Sequence, residues 1–320
     1  MKRTFWLICA ATGLFATGCS EPIERSEPTP VTEYVEVPDQ YFFEWLVRWF
    51  DTDKDGRIST EEAAKVTSMK VEGYWEIASV EGIASFPNLK TFECSGNTEH
   101  MRLLTEVDVS ANTALEVLNL SGNSIASIDV SANTALRELD MTRNGLTSID
   151  VSGNTALEVL RLGNNSLEAL DVTKNTSLRS LSVSGSALTV LDLSNNSAME
   201  ELDCYGTQLP SLDVSAMSGL RELSIGSVQM PAIDVTKNPA LEVLNIVSCR
   251  MESVDLSNNP ALRVLYAGVN RFTELDISGC ASKMDGVYCA GNPNLTVIYQ
   301  RKGQQVETLI KDAAAEVVVK

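Results

Sequence analysis

The chain has 320 residues, 44% apolar and 21% charged, an ordinary globular composition at a length that suggests about two domains. Lys and Arg number 25 against 43 Asp and Glu, a net charge of −18, which excludes the basic face that nucleic-acid binding requires. A single histidine, His100, excludes mechanisms built on a histidine pair, and no run is long and apolar enough to cross a bilayer as a helix.

Lys2 and Arg3 precede a mostly apolar run from Phe5 to Ala16, which ends in Thr17, Gly18 and Cys19. Positive charge, a short apolar core and small residues are the pattern of a secretory signal. With Cys19 directly after it, the segment 1–18 resembles a bacterial lipoprotein signal peptide, although Ala16 stands where that family usually carries a bulky aliphatic residue. The resemblance implies cleavage before Cys19, lipidation of Cys19, and a chain anchored to a membrane rather than spanning it. Residues 19–38 are rich in Pro and Glu and poor in apolar residues, which predicts a disordered tether. Glu21 and Glu24, close behind Cys19, resemble the surface-export signals of Bacteroidetes lipoproteins. The expected location is therefore the bacterial outer membrane, on its exposed side.

Residues 39–68 carry the sharpest motif. Asp51, Asp53, Asp55 and Glu62 fall at positions 1, 3, 5 and 12 of a twelve-residue loop, with Gly56 at position 6 and Ser59 at position 9. Calcium is a hard cation that takes six to eight oxygens, and these side chains, with the backbone carbonyl of Arg57, offer such a set. Gly56 suits the sharp turn that needs a positive φ. The loop resembles an EF-hand at every ligand position, flanked by an apolar-rich helix containing Phe42, Trp45 and Leu46 and a short one from Glu61. The resemblance implies Ca2+ as the bound ion. EF-hands usually pair through position 8, and here Ile58 has no second copy to pair with. The expectation is a helix–loop–helix that packs on the next domain as a cap, with a structural calcium.

Residues 69–297 repeat. Asp108, Asp129, Asp150, Asp171, Asp192, Asp213, Asp234, Asp255 and Asp276 are all 21 residues apart. Within one unit Leu136, Leu139, Met141, Asn144 and Leu146 follow the pattern L-x-x-L-x-L-x-x-N-x-L, with Met141 at one Leu position. This resembles the leucine-rich repeat. The expected fold is an α/β-type, β-rich solenoid in which Leu139 and Met141 face inward from a short parallel strand and Asn144 satisfies buried backbone groups. Thr207, Val228 and Cys249 replace that Asn in consecutive units, and since Val228 cannot hydrogen-bond, an irregularity is expected there. A second pattern, Ile-Asp-Val-Ser-x-Asn, implies extended structure on the opposite side. An insertion containing Glu99 and His100 disturbs the start, and residues 298–320 break the period and read as a C-terminal cap. An EF-hand leading into 21-residue repeats behind a lipoprotein signal resembles the leucine-rich-repeat surface lipoproteins of Bacteroidetes.

Of the cysteines, Cys94, Cys204 and Cys289 fall at inward strand positions, and Cys249 and Cys280 at ladder positions. They read as core residues, with a Cys249–Cys280 bridge left open. Outward strand residues form a variable column from Asn119 through Asp140, Arg161, Ser182, Asp203, Ser224, Asn245 and Tyr266 to Tyr288, with Tyr205 in the column beside it. Tyr205, Tyr266, Tyr288, Arg161 and Asp203 are the candidate ligand-binding residues. Neighbouring strands about 4.8 Å apart place Tyr266 beside Tyr288, where the two suit a sugar ring or a peptide, or equally a cross-strand pair. The sequence contains neither G-x-S-x-G nor H-E-x-x-H. The reading is a non-catalytic cell-surface module that binds a host protein, a glycan or an envelope component. The alternative is a calcium-stabilised spacer of the cell envelope.

Overall fold

The computed structural model describes residues 33–71, 76–96 and 104–320. The signal segment, Cys19 and the insertion containing Glu99 and His100 lie outside these residues. Residues 33–320 form one compact unit.

The chain enters through helix α1 (Gln40–Phe50) and the one-turn helix α2 (Thr60–Ala63), then coils. Each coil lays down one short strand. These are β1 (Ser68–Lys70), β2 (Thr91–Glu93), β3 (Val117–Asn119), β4 (Glu138–Asp140), β5 (Val159–Arg161), β6 (Ser180–Ser182), β7 (Glu201–Asp203), β8 (Glu222–Ser224), β9 (Val243–Asn245) and β10 (Val264–Tyr266). The last coils add β11 (Glu274–Asp276), β12 (Lys283–Tyr288), β13 (Val297–Gln300), β14 (Gln305–Ile310) and β15 (Glu316–Val319). β1 to β10, then β12 and β14, form one twelve-stranded parallel sheet, while β11, β13 and β15 form a three-stranded one.

Strands of three residues exist here because only the middle residue must be buried. Phe92, Leu118, Leu139, Leu160 and Leu181 occupy that place in successive coils and are sealed from solvent. Each fully buried Leu contributes about 1.5–3 kcal/mol, so this stacked column dominates the fold. The residues on either side of it in each strand point outward and stay partly exposed. Met141, Leu162, Val183, Cys204 and Ile225, two residues beyond the middle one, turn back into the core.

Two ladders of side-chain amides join the coils. Asn144 Nδ2 donates to the carbonyls of Leu120 (2.9 Å) and Met141 (3.1 Å), and Asn165 repeats the pattern on Met141 and Leu162. On the other side Asn154 donates to the carbonyls of Val130 and Asn133, both at 2.9 Å, and Asn175 to those of Val151 and Asn154. The amides tie these buried carbonyls to the neighbouring coil, and the carbonyls of Val130 and Asn133 accept a turn N–H as well. The first ladder changes chemistry over four coils. Ser186 donates to Val183, Thr207 to Cys204, and Cys249 through Sγ to the carbonyl of Ile225, with Val228 between them. The coil of Val228 nevertheless keeps its course. Ile225 N donates to Asn245 O (2.9 Å) and Ser227 N to Val247 O (2.7 Å), and β8 pairs in register with β9. The irregularity expected at Val228 is absent because Thr207 already occupies the carbonyl of Cys204.

The opposite side also departs from expectation. Through the regular coils it forms turns rather than strands, with Asn133 N bonding Val130 O and Leu136 N bonding Asn133 O. The Asp column explains this. Asp129 Oδ1 accepts from Ser131 N, and Asp171 Oδ1 accepts from both N and Oγ1 of Thr173, so each Asp closes its own turn. Among the described residues, only β11, β13 and β15 form strands there.

Residues 298–320, which read as a cap, make a further turn of the solenoid. Gln304 Nε2 donates to the carbonyls of Ile277 and Ala281, doing a ladder asparagine's work, and Arg301 reaches those of Ser278 and Cys280. At the other end, residues 33–38, assigned above to the tether, are packed. Val35 is buried and Val37 partly so, because the two apolar side chains alternate on a segment whose backbone finds partners in the loop 51–62. The five cysteines from Cys94 onward are buried and free, so no Cys249–Cys280 bridge forms. Burial pushes the Cys280 thiol up to about 12.

Candidate functional site

The loop between α1 and α2 is held from both ends. Asp39 caps α1 through Oδ1, which accepts from Phe42 N (2.8 Å), and its Oδ2 accepts from the main chain of Ala78 and Ser79. One carboxylate thus fixes the helix start against the entry to the solenoid. Ser59 caps α2 in a reciprocal box with Glu62. Phe42, Trp45, Leu46 and Ile58 are buried in the same core as the first coils.

Within the loop Asp51 accepts from Lys54 N (2.6 Å) and Gly56 N (2.9 Å), Asp53 from Asp55 N, and Asp55 from Arg57 N. Gly56 has φ 83°. These bonds curl the chain so that Asp51, Asp53 and Asp55 each present a carboxylate oxygen within 4.8 Å of the others. Glu62 stands apart. Its Oε1 accepts from N (2.6 Å) and Oγ1 (2.7 Å) of Thr52, and its Oε2 from N and Oγ of Ser59. Burial works to raise the Glu62 carboxyl, but these donors outweigh it and bring it down to about 2. The structure therefore gathers three of the four predicted carboxylates and uses the fourth, with Ser59, to close the loop. Three converging carboxylates on a loop with the required positive-φ glycine are a donor set that fits a hard cation. The guanidinium of Arg57 is turned away, 4.1 Å over the ring of Tyr34.

Ile58 also has a backbone partner. Val35 N donates to Ile58 O (2.8 Å) and Thr60 N donates to Glu33 O (2.9 Å), around an antiparallel bridge between Tyr34 and Ser59. Tyr34 Oη donates to Asp55 Oδ2 (2.8 Å). The segment 33–35 thus supplies the short strand that a second loop would supply in a paired arrangement. Composition hid this, because Pro28, Pro30 and the surrounding Glu residues dominate the reading of the neighbouring stretch.

The second site is the outer face of the twelve-stranded sheet. The register aligns Asp140, Arg161, Ser182, Asp203, Ser224, Asn245, Tyr266 and Tyr288 in one line. Tyr266 and Tyr288 stack with ring centroids 4.8 Å apart and planes 13° from parallel. The Tyr288 ring lies over Gly286, where a Cβ would come 2.5 Å from its Cε2. A groove of about 430 Å³ crosses the face, with Arg161, Ser182, Asp203, Ser224, Asn245 and Tyr266 on its walls. Tyr205 lies outside it. Its ring covers Gly226 and its hydroxyl accepts from Ser227 Oγ (2.7 Å). Of the five candidate residues, the groove gathers Arg161, Asp203 and Tyr266, with Tyr288 behind Tyr266.

Sequence reasoning passed over the column one residue before β2 to β10, which Asp285 continues within β12. Lys90, Glu116, Arg137, Glu158, Arg179, Glu200, Arg221, Glu242, Arg263 and Asp285 alternate in sign without a break. Ion pairs join Lys90 to Glu116, Arg137 to Glu158, Arg179 to Glu200, Arg221 to Glu242, and Arg263 to both Glu242 and Asp285. Reading each unit against the next but one would have shown it.

A family model described as leucine-rich repeats in two copies matches residues 113–154. The functional domain of InlJ from Listeria monocytogenes superposes with a TM-score of 0.66 at 24% identity, over 90% of this chain and 72% of that one. The molecule is a leucine-rich-repeat solenoid. Internalin C2 from Listeria monocytogenes follows the same coil at a TM-score of 0.57 and 18% identity, over 68% of this chain and 97% of its own. A TDR receptor does so at 0.64 and 19%, over 81% of this chain and 49% of that one. No curated protein matches the chain. The InlJ domain includes a cysteine ladder; among the described residues of this solenoid the rungs are mainly asparagine, and Cys249 donates through its thiol. Among the described residues no helix is long and apolar enough to cross a membrane.

Proposed function

We propose that this solenoid is a non-catalytic binding module, carried at the bacterial cell surface on a lipidated Cys19, which recognises a protein or a glycan through the outer face of its twelve-stranded sheet. The observation that carries the reading is the contrast between columns. The inward Leu and Asn columns recur and build the coil, whereas the line from Asp140 to Tyr288 varies in chemistry, borders a groove and ends in a stacked tyrosine pair. Solenoids offer such extended faces for recognition, and a receptor and internalins share the coil. Calcium is a structural ion in this reading, held by Asp51, Asp53 and Asp55 with the carbonyl of Arg57 and with Ser59 and Glu62 at the loop's end. Its place is the entry to the solenoid, so it would hold the helix–loop–helix in shape against the first coils.

The test is capture of the chain from residue 20 onward on immobilised polysaccharides and matrix proteins, in millimolar calcium and in chelator. The expected outcome is a specific partner whose capture is lost in Tyr266→Ala and survives chelation. Failure to capture any partner with the fold intact would replace recognition by a spacer role.

A further inference from the structure

Within that binding reading, we infer that the groove across β6 to β10 selects a basic peptide, an extended segment whose arginine or lysine side chains dock on Glu201, Glu222 and the ring of Tyr266. Elsewhere on this side of the solenoid most carboxylates are neutralised, and Asp140 accepts from Thr142 N. Glu116, Glu158, Glu200, Glu242 and Asp285 each face an Arg or Lys of a neighbouring coil. Glu138 holds Arg161, and Glu93 holds Lys70. Glu201 and Glu222 break this rule. They are register partners across β7 and β8, both are exposed, and among the described residues neither makes an ion pair, although Glu201 accepts from Ser180 Oγ (3.0 Å). Like charges directly opposite one another destabilise a sheet, so the pair is a cost to the fold that a bound cation would remove. Asp203 adds a third carboxylate on the same wall, and Arg161, the one cation lining the groove, is already engaged by Glu138.

The far wall suits the same ligand. Tyr266 is held by stacking on Tyr288, which Gly286 allows to lie flat, so the ring is fixed before anything binds. A guanidinium or ammonium group gains from an aromatic face and from carboxylates together, and Arg exploits both at once. Ser182, Ser224 and Asn245 between the walls offer neutral hydrogen-bonding groups for a peptide backbone. From Arg161 to Tyr266 is five strand spacings, about 24 Å, which an extended segment of about seven residues would span. A neutral glycan would use the tyrosine and the hydroxyls but would leave Glu201 and Glu222 unanswered.

The probe is a fluorescent heptapeptide of alternating Gly and Arg, with its Gln-for-Arg counterpart, read by anisotropy against the full chain at physiological salt. Saturable binding of the Arg peptide alone is expected, weakened about tenfold or more in E201Q/E222Q and in Tyr266→Ala. A charge-matched control, E168Q/E252Q, removes two exposed carboxylates outside the groove and should change binding less than about twofold. Both sets of substitutions are on the surface, and unchanged melting of each variant is the check on folding. Equal loss in the control would reduce the effect to the net charge of the chain and overturn the inference. So would displacement of the peptide by millimolar calcium through Glu201 and Glu222, which would make the pair a metal site. If the Arg peptide fails to bind while Tyr266→Ala still abolishes capture of a partner, the basic-peptide assignment falls and the strand face stands as a recognition surface.

Discussion

Val269 has φ 56°, a left-handed conformation that a β-branched side chain rarely adopts, and 60% of its surface is exposed. Gly122, Gly185, Gly206 and Gly291 fill the equivalent place in other coils, as do Arg143 and Asn164, so the turn itself imposes the conformation. Val269→Asn should therefore stabilise the protein by about 1 kcal/mol, measured by chemical denaturation. The Asp column gives a pH prediction. Hydrogen bonds from the hydroxyl and main-chain N–H of Ser152, Thr173 and Ser215 hold Asp150, Asp171 and Asp213 below the ordinary value of 3.8. A folded value below the unfolded one means stabilisation that is complete above pH 3.8 and lost as the pH falls through the folded value. Replacing the three by Asn keeps the acceptor and removes the titration, so stability should fall less steeply below pH 3.8 in urea melts. At this scale much was legible. The Leu and Asn columns follow from spacing alone, since each residue type has one place to go in a coil. Val228 misled, because its missing hydrogen bond is made good by Thr207 in the previous coil, which a single-unit pattern does not show.

The elements at the two ends carry most of what was not legible. The turn of the acidic loop was readable because its carboxylates, glycine and capping residues sit at fixed spacings. Its strand partner at Glu33–Val35 was not, because three residues contribute backbone donors and acceptors without a side-chain pattern. The last coil was obscured likewise. Arg301 and Gln304 reach the carbonyls that Asn reaches elsewhere, so longer side chains do the same work at a shifted position. If the loop holds calcium as proposed, its removal should be felt at the first of these ends and leave the coils intact. In chelator, limited trypsin digestion is expected to cut after Lys54 or Arg57, while the far-UV circular dichroism of the repeats stays unchanged. Equal resistance with and without calcium would argue against metal in the loop. Tyr34→Phe removes the hydrogen bond to Asp55 and should make the loop easier to cut even with calcium present.

One hydrophobic core runs through the described residues, from Phe42 and Trp45 through the Leu column to Ile298 and Ala315. Such a stack behaves as a sum of coils and the interfaces between them, so the interfaces decide which coils can neighbour one another. The signed column before the strands sets a condition that the apolar core does not. Excising residues 179–199 would bring Glu158 against Glu200, while excising 179–220 would bring it against Arg221. The first shortened chain should gain stability, relative to the second, as salt is raised from low to molar concentration, because screening relieves repulsion in one and weakens attraction in the other. Thermal melts across a salt series would show it. The solenoid thus has a parity: an even change in coil number preserves the match at the seam and an odd one breaks it. Duplication or loss of coils during the history of such a chain would then be expected to proceed in twos, and a designer extending it should add coils as charge-balanced doublets.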